Sequence, residues 1–419
     1  MLLSPDPHPP GGPAILRFGA GAPRPRRLPM PTPDPDPLVV YGPANHAYDF
    51  GPGHPFTPRR FGPGMDMLRE LGADGDAFVP PAPATSADLA TVHARRFLAS
   101  IERLSDYPEM ADEEGVTDND TPPFYGMHEA GAAVVGGTLA AMDEILGGRR
   151  LHAFHPGGGL HHAFPARASG FCVFNDVAIA IRRARDAGHR VLYVDVDVHH
   201  GDGVEAIFWD DPLVQTVSVH ESGLTLFPGS GWVEDRGGEG AEGSAVNIPL
   251  EHGTSDASWL AVLESVVPAL AAVFRPTILV TLNGSDAHAY DPLANLQLTT
   301  GSFARAARLF DAVAHEHAGG RWLATGGGGY DVYRAVPRNW GLLWLAQAHR
   351  EAPVETPAVW RERWAPEASR HRAGLMPDLM LDPAGVARPE TESIAAANRT
   401  TAAIALEHTL AVLAERPWA

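Results

Sequence analysis

One segment of the chain combines a strand-like apolar run with regularly spaced carboxylate and imidazole side chains. Residues 193–203 read Tyr-Val-Asp-Val-Asp-Val-His-His-Gly-Asp-Gly. On an extended strand, Asp195, Asp197 and His199 would share one face, because successive side chains alternate. Burying three such groups side by side costs several kcal/mol unless a partner satisfies them, and a divalent cation would do so. The spacing therefore predicts a metal site; an exposed edge strand with a polar face is the competing interpretation.

A further acidic residue is a candidate third metal ligand. Asp286 lies in Leu-Asn-Gly-Ser-Asp-Ala-His at 282–288, directly after another predicted strand. A catalytic zinc-type site takes three protein ligands and leaves one position open. Asp197 and His199 would supply two of them, and Asp286 the third. Taken alone, an Asp after Asn-Gly-Ser is equally well explained as the cap of a turn.

Two adjacent histidines lie on a glycine-rich loop. Residues 155–163 read His-Pro-Gly-Gly-Gly-Leu-His-His-Ala. Imidazole titrates near neutral pH, so His161 and His162 suit proton transfer. Histidines in such a loop are otherwise more often plain surface residues.

Four consecutive glycines precede Tyr330. Glycines allow a close approach of the backbone, and the tyrosine is then presented to the cleft. The spacing matches neither the Walker nor the dinucleotide-binding fingerprint, so a nucleotide-binding loop is excluded.

The elements that must position these residues alternate along the chain. Strands are predicted at 149–154, 190–198, 214–220, 277–282 and 321–325, and helices at 131–146, 175–187, 258–274 and 302–317. This order predicts an α/β fold with a central parallel sheet and helices on both faces. Sites in such sheets lie beyond the carboxyl ends of the strands, where the loops described above occur.

The predicted organisation is one catalytic domain at 38–365. Residues 1–37 are crowded with Pro and Gly and are predicted to be disordered, with Met30 a candidate initiator. Residues 351–390 show little periodicity. We expect 366–419 to form a linker and a terminal helix at 394–414 that packs on the domain.

The composition excludes several classes of protein. The formal net charge is -19 and every basic side chain is arginine, which argues against nucleic-acid or anionic-membrane partners. Cys172 is the only cysteine, so an intrachain disulfide is impossible. The first residues lack the apolar region of a signal peptide, and a cytoplasmic location is expected.

Eight stretches of the chain, in order across residues 38–345, resemble the zinc-dependent histone deacetylase family, most closely its bacterial acetoin-utilisation branch. They are 53–60 (GHPFTPRR), 124–129 (FYGMHE), 158–163 (GGLHHA), 168–176 (ASGFCVFND), 195–203 (DVDVHHGDG), 227–231 (FPGSG), 285–286 (SD) and 326–330 (GGGGY). The resemblance implies an arginase-like α/β fold and a hydrolytic metal centre.

The resemblance also assigns roles at that centre. It implies that Asp197, His199 and Asp286 bind the metal, either Zn²⁺ or Fe²⁺, since both suit such ligands. His161 and His162 match the family's histidine pair, with Asp195 and Asp202 as their respective carboxylate partners. His162 is then the general base and acid, and Tyr330 donates a hydrogen bond to the developing oxyanion.

Further residues match the family's substrate channel. Gly170, Phe171 and Phe227 would line it, and the two aromatic rings would grip the stem of an acetylated lysine. Leu293 aligns with the position where polyamine-specific relatives carry a glutamate, so it favours acetyl-lysine over acetylpolyamine. Asp120 matches the rim aspartate that holds the substrate backbone, unless it belongs to a solvated acidic loop. Arg60 resembles the arginine of the acetate-release pocket, with a structural salt bridge as the alternative.

Structural potassium is also implied by the resemblance. An inner site would use Asp195, Asp197, His199, Ser218 and Val219, and an outer one Phe208, Asp211 and Val214. One departure from the family pattern is Asn283, where relatives often carry Gln or Cys; this residue next to the metal centre could tune or weaken the activity.

The resemblance predicts hydrolysis of acetyl-lysine in proteins to lysine and acetate, with acetyl-CoA synthetase as a candidate substrate. A deacetylase of acetylpolyamines or other small acylated amines is the alternative. A non-catalytic module that binds acylated lysine is a third possibility, disfavoured by the complete ligand set and Tyr330. The two-metal pattern of a ureohydrolase is absent.

Overall fold

The structure is a computed structural model of the chain, and it describes residues 37–110, 112 and 115–416. The described residues belong to one compact unit. The segment 1–37 that the sequence predicts to be disordered lies outside the described residues, apart from Pro37.

Eight strands form a single sheet in the described part of the chain. They are β1 (Leu38–Val40), β2 (Phe78–Val79), β3 (His152–His155), β4 (Val191–Asp195), β5 (Val214–Glu221), β6 (Ala245–Leu250), β7 (Ile278–Leu282) and β8 (Trp322–Thr325). Their order across the sheet is β2-β1-β3-β8-β7-β4-β5-β6, and every pairing is parallel. The predicted α/β fold with a parallel sheet is confirmed.

Helices cover both faces of this sheet. They are α1 (Phe61–Glu70), α2 (Ser86–Leu89), α3 (Arg95–Asp106), α4 (Met127–Leu146), α5 (Asp176–Asp186), α6 (Asp202–Phe208), α7 (Asp256–Phe274), α8 (Thr300–His317), α9 (Ala335–Gln347), α10 (Ala358–Arg370) and α11 (Glu392–Ala414). Short 3-10 turns lie at Pro43–Ala47, Pro58–Arg60 and Gly75–Ala77.

Alternate side chains of the strands enter two separate cores. In β4, Leu192 and Val194 join the core formed with α7, α8 and α9, whereas Val191 and Tyr193 join the core formed with α4, α5 and α6. All five residues of β4 are buried. Such a strand reads as a continuous apolar run because both of its faces are covered.

β4 ends earlier than the sequence predicts. The predicted strand extends to Val198, but β4 stops at Asp195. The Asp195 carboxylate accepts the Asp197 N–H at 3.0 Å, and the Asp197 carboxylate accepts the His199 N–H at 3.1 Å. These local bonds take the place of ladder bonds and turn the chain. Asp197 and His199 therefore lie on a loop, and the prediction of one shared strand face was wrong.

The C-terminal part of the chain is more helical than predicted. Helix α10 lies inside the weakly periodic region 351–390 and continues through the predicted boundary at 365. It is anchored by Trp360, whose buried indole donates a hydrogen bond to Pro63 O at 2.8 Å. Burial of such a side chain contributes roughly 1.5–3 kcal/mol. Helix α11 confirms the predicted terminal helix and contacts α7 and β6.

Helix α7 has the length and apolar composition of a membrane span, and it is the one such helix in the described residues. It contacts α8 and α11, and its inward side chains, including Trp259 and Leu263, are fully buried. This is the environment of a core helix.

The sheet order brings the candidate site residues to one edge. β3, β8, β7, β4 and β5 are consecutive neighbours in the sheet. Because all pairings are parallel, the loops that follow these five strands leave from the same edge. Those loops carry the histidine pair, Tyr330, Asp286, the Asp197–His199 segment and Phe227, respectively.

Candidate functional site

Three buried side chains beyond β4 and β7 converge on a common point. Asp197, His199 and Asp286 each direct a ligand atom into a cluster in which these atoms lie within 4.8 Å of one another. His199 Nδ1 lies 3.0 Å from Asp197 Oδ1 and 3.3 Å from Asp286 Oδ2. The predicted third ligand therefore lies beside the other two.

The remaining oxygens of these carboxylates are held by backbone groups. Asp286 Oδ1 accepts the Val198 N–H at 3.0 Å, and Asp197 Oδ2 accepts the Gly328 N–H at 2.7 Å. Asp286 Oδ2 is buried and has no hydrogen-bond partner. A buried acceptor without a donor is costly unless a cation satisfies it, so this atom fits a metal ligand.

Glycine is required beside this cluster. A Cβ on Gly328 would lie 2.0 Å from Asp286 Oδ2, and a Cβ on Gly284 would lie 2.3 Å from Asp197 Oδ2. The glycine-rich segment before Tyr330 thus lets the backbone pass directly over the carboxylates.

The electrostatics of the cluster also fit a cation. Burial and the charge of Asp197 raise the pKa of Asp286 to about 6. Burial alone would lower the pKa of His199, but its hydrogen bond to Asp197 and the negative charge of the neighbouring Asp286 raise it to about 10. The cluster therefore holds a proton on His199 between two carboxylates. A divalent metal would take the place of that proton, because metal ligands must be deprotonated.

The two adjacent histidines lie against different carboxylates. His161 Nδ1 is 2.8 Å from Asp195 Oδ2, and His162 Nδ1 is 2.7 Å from Asp202 Oδ1. Both pairings agree with the prediction. Each carboxylate fixes the orientation of its imidazole, and Nε2 of His162 is left as the nitrogen that can exchange a proton.

The two imidazoles differ in charge. Burial lowers the pKa of His161, but the negative charges of Asp195 and Asp197 outweigh burial and raise it to about 9. Burial and the positive charge of His161 lower the pKa of His162 to about 4, although Asp202 opposes the shift. A cation at the neighbouring ligands would lower both values further. His162 is therefore the neutral member of the pair.

Tyr330 is positioned by a residue that the sequence did not single out. The Tyr330 N–H donates to Asp291 Oδ2 at 2.8 Å, and the Leu293 N–H donates to Asp291 Oδ1 at 3.0 Å. Burial and the charges of Asp286 and Asp197 raise the pKa of the Tyr330 hydroxyl well above 10. Tyr330 consequently keeps its proton and can act as a hydrogen-bond donor.

A cavity of about 190 Å³ leads to these groups. It is lined by Asp120, His162, Gly170, Phe171, His199, Leu226, Phe227, Leu293 and Tyr330. All five residues predicted to bind substrate are in this lining, and Leu226 is an addition. A narrow cavity with aromatic walls suits an unbranched aliphatic chain.

The aromatic walls are held in place by backbone contacts. Phe171 has a positive φ of 69°, which is unusual for a residue with a side chain. Its N–H donates to Thr121 Oγ1 at 3.0 Å, and its carbonyl accepts from the Tyr48 hydroxyl at 2.7 Å. Gly170 gives the histidine room, since a Cβ there would lie 2.5 Å from His162 Cδ2.

Arg60 is buried behind the glycine-rich segment. Its guanidinium donates to Gly327 O at 2.7 Å and lies over the Phe56 ring at 4.3 Å. Burial lowers its pKa to about 10, so it is cationic at neutral pH. Among the described residues Arg60 forms no ion pair, and its Nε has no hydrogen-bond partner. The predicted acetate pocket is compatible with this charge; the alternative of a structural salt bridge is not supported.

The predicted potassium ligands fall into two places. Asp195 and Ser218 are register partners on β4 and β5, and Val219 follows Ser218. Phe208, Asp211 and Val214 form the turn between α6 and β5, where Phe208 O accepts the Asp211 N–H at 3.0 Å. Both potassium sites remain predictions.

Asn283 points back toward the sheet. Its Nδ2 donates to Thr281 O at 3.1 Å, Thr281 Oγ1 at 2.9 Å and Thr325 O at 3.1 Å. The side chain thus joins the ends of β7 and β8. An effect of Asn283 on the activity stays a prediction.

Two further residues, which the sequence analysis did not identify as site residues, hold the loop of the histidine pair through hydrogen bonds. The Asp176 carboxylate accepts the N–H groups of Gly159 at 3.0 Å and Leu160 at 2.7 Å. Asn175 Nδ2 donates to His161 O at 3.1 Å and Ala163 O at 3.0 Å. In the sequence, the Asn-Asp pair at the start of α5 indicates only a helix N-cap. The hydrogen bonds of these two side chains to a loop elsewhere in the chain cannot be inferred from a local sequence pattern.

Comparisons with known proteins agree with this geometry. The sequence profile of the histone deacetylase domain matches residues 54–346. The acetoin utilization protein AcuC of Bacillus subtilis (strain 168) is 40% identical over 359 residues, 84% of this chain and 91% of that protein. AcuC of Staphylococcus xylosus is 36% identical over 336 residues, 79% of this chain and 87% of that protein. A crystal structure of an HDAC homolog complexed with SAHA aligns with a TM-score of 0.76 at 26% identity, over 88% of this chain and 100% of that chain.

Proposed function

Because the chain belongs to the histone deacetylase family, we propose that it is a metal-dependent lysine deacetylase that hydrolyses acetyl-lysine to lysine and acetate. The observation that carries the proposal is the buried cluster of Asp197, His199 and Asp286, which lies beside the histidine pair and Tyr330. Metal-assisted hydrolysis of an amide uses a Lewis acid, a base and an oxyanion donor, and these residues supply the metal ligands, the base and the donor.

Asp197, His199 and Asp286 would hold the metal. The orphaned Asp286 Oδ2 and the two-carboxylate, one-imidazole donor set fit a zinc-type cation, and ferrous iron suits the same donors. Bound there, the metal would supply a Lewis acid for the acetyl carbonyl and for an attacking water. We propose zinc as the working metal.

The protein side chains have separate roles in proton transfer and in the stabilisation of charge. His162 is neutral, so its Nε2 takes a proton from the attacking water and returns it to the leaving amine. Asp202 holds the ring and stabilises its charged form. His161 and Asp195 stabilise charge beside it, and Tyr330 donates its hydroxyl proton in a hydrogen bond to the developing oxyanion.

The channel favours acetyl-lysine over the acetylpolyamine alternative. Phe171 and Phe227 offer apolar surface to the aliphatic stem of lysine, with Asp120 at the rim as an acceptor for backbone N–H groups. Leu293 lines the same cavity and carries no charge that would attract a secondary ammonium.

A comparison of two substrates tests this specificity. We expect purified protein to release acetate from an acetyl-lysine peptide with a higher kcat/KM than from acetylputrescine. Leu293→Glu should shift the ratio toward acetylputrescine by about tenfold, or about 1.4 kcal/mol, because it adds a carboxylate to the cavity wall. Leu375→Glu, on a side chain that is 92% exposed and outside the cavity lining, is the matched control. Preference of the unmodified protein for acetylputrescine would favour the alternative.

We further propose a protein substrate in the cytoplasm, with acetyl-CoA synthetase as the candidate. The support for the substrate is the resemblance to the acetoin-utilisation branch, and the support for the location is the single, buried cysteine. Loss of the acetyl-lysine signal from acetylated acetyl-CoA synthetase on incubation with the protein would support this substrate. Persistence of that signal, while acetyl-lysine peptides are hydrolysed, would exclude it.

A further inference from the structure

We propose that the chain has a second metal site, built by His152, Asp311, His315 and His349 at the other end of the sheet. His152 is the first residue of β3, whereas the catalytic loops follow the last residues of the strands. Asp311 and His315 are one turn apart on α8, and His349 follows the end of α9. The four residues direct ligand atoms to within 4.8 Å of one another.

The distances within this cluster match a small tetrahedral site. The Nε2 atoms of His152, His315 and His349 lie 3.6, 3.4 and 3.1 Å from the same atom, Asp311 Oδ1. Metal–ligand bonds of about 2 Å in a tetrahedron place neighbouring ligand atoms about 3.3 Å apart. The three ring centroids are 5.1, 5.3 and 5.2 Å from one another, so the imidazoles surround one point evenly.

The orientation of His152 is fixed by its surroundings. Its side chain is fully buried, and its Nδ1 donates to Gln347 O at 2.7 Å. This bond leaves Nε2 as the ring nitrogen that faces Asp311, 3.6 Å from its Oδ1. A backbone carbonyl that holds the second nitrogen is the usual support of a metal-bound histidine.

The backbone near the other two histidines has two unusual features. His349 has a positive φ of 51°, a strained conformation for a residue with a Cβ. Gly320 leaves room for His315, since a Cβ there would lie 3.1 Å from His315 Cε1. His315 and His349 are 35% and 47% exposed, so a cation can reach the site from solvent.

The donor set selects the class of metal. Three imidazoles and one carboxylate suit zinc-type borderline cations rather than Mg²⁺ or Ca²⁺, which prefer oxygen ligands. Four protein ligands fill a tetrahedron, so the site is structural: it would join β3, α8 and the end of α9.

Metal counting on variants tests the proposal separately from the catalytic centre. Full-length protein is dialysed against Zn²⁺ at pH 7.5, and bound zinc is measured by mass spectrometry. We expect two equivalents in the unmodified protein, one in the His315→Ala/His349→Ala double variant and one in Asp286→Ala. His252→Ala, another exposed histidine, is the matched control and should keep two. A double variant that binds as much zinc as the unmodified protein overturns the second site; an unchanged Asp286→Ala would instead contradict the catalytic centre.

Thermal unfolding gives a second readout. Zinc should raise the Tm of Asp286→Ala, which retains the second site, more than the Tm of a triple variant that also lacks His315 and His349. The single His349→Ala variant, altered at an exposed position, guards against misfolding of the double variant and should also lose the second equivalent. Full acetate release by the double variant is expected, since its changes lie at the opposite end of the sheet. Equal Tm shifts in Asp286→Ala and the triple variant would contradict the proposal.

Discussion

The hydroxyl of Tyr330 is placed to act as a hydrogen-bond donor rather than as a base. Its burial and the neighbouring carboxylates Asp286 and Asp197 raise its pKa well above 10, so the proton stays on the oxygen. Tyr330 lines the same cavity as His162 and His199. A donor in this position acts on the transition state and contributes little to the binding of the metal.

Tyr330→Phe should therefore reduce kcat by about 10²–10³-fold, the usual cost of one lost oxyanion donor. Zinc content and KM for an acetyl-lysine peptide should change little, because the ring and its packing on Phe171 are retained. Steady-state kinetics with a parallel metal assay measures both. Undiminished kcat in the phenylalanine variant would remove Tyr330 from the mechanism.

At the scale of elements, the loops that follow β7 and β8 are joined by one buried carboxylate. Asp291 accepts the N–H groups of Tyr330 and Leu293, so it couples the catalytic tyrosine to the channel wall. Asp291→Ala should lower kcat and raise KM together, each by about tenfold, because small displacements of catalytic groups are costly. Asp378→Ala, at an aspartate whose side chain is 85% exposed, is the matched control. If Asp291→Ala changes neither constant, Asp291 has no positioning role.

The sequence predicted the central strands, the four long helices near them and the side chains that meet beyond them. These features have local signals: apolar runs, helical periodicity and glycine-rich loops between them. It did not predict β1, β2 or β6, or the helices α1, α2, α3, α6, α9 and α10. Helix α10, for example, is held by a long-range contact from Trp360 to Pro63. Asp176 and Asp291 were not predicted as site residues for a related reason, because their carboxylates accept hydrogen bonds from backbone N–H groups of other loops.

At the end of β4 the backbone conformation differs from the one that the local sequence pattern predicts. The alternating Asp-Val-Asp-Val-His run fits a strand, but the Asp195 and Asp197 side chains compete for the backbone N–H groups two residues ahead. The same residues are needed at the site, and their turn directs Asp197 and His199 toward Asp286. A pattern rule can identify such residues without giving their backbone conformation.

Across the whole molecule, several buried histidines are kept neutral. Burial lowers the pKa of His93 to about 4 and that of His155, with a contribution from Arg60, to about 3. In the unfolded chain both would titrate near 6.5. Below pH 6.5 these histidines bind protons in the unfolded state but stay unprotonated in the folded state. The free energy of unfolding therefore falls as the pH falls from 6.5 toward 4.

His93→Gln should flatten this acid dependence. The glutamine amide can replace both bonds of His93, the donor to Phe164 O and the acceptor of the Asn175 N–H, without titrating. By pH 4, His93 alone should account for roughly 3 kcal/mol of lost stability. Denaturant titrations between pH 4 and 7.5 on both proteins measure the difference. Parallel pH profiles for the two proteins would show that His93 is not the source.

The chain contains no lysine, so it carries no acetyl-lysine side chain of its own and any acetate released in an assay comes from the added substrate. The most direct test of the central claim is acetate release from an acetyl-lysine peptide before chelation, after chelation and after zinc is restored. We predict release that chelation abolishes and that zinc returns, with no return in Asp286→Ala. Release that persists in the fully chelated protein, or no release from folded protein with zinc bound at Asp197, His199 and Asp286, would contradict the account.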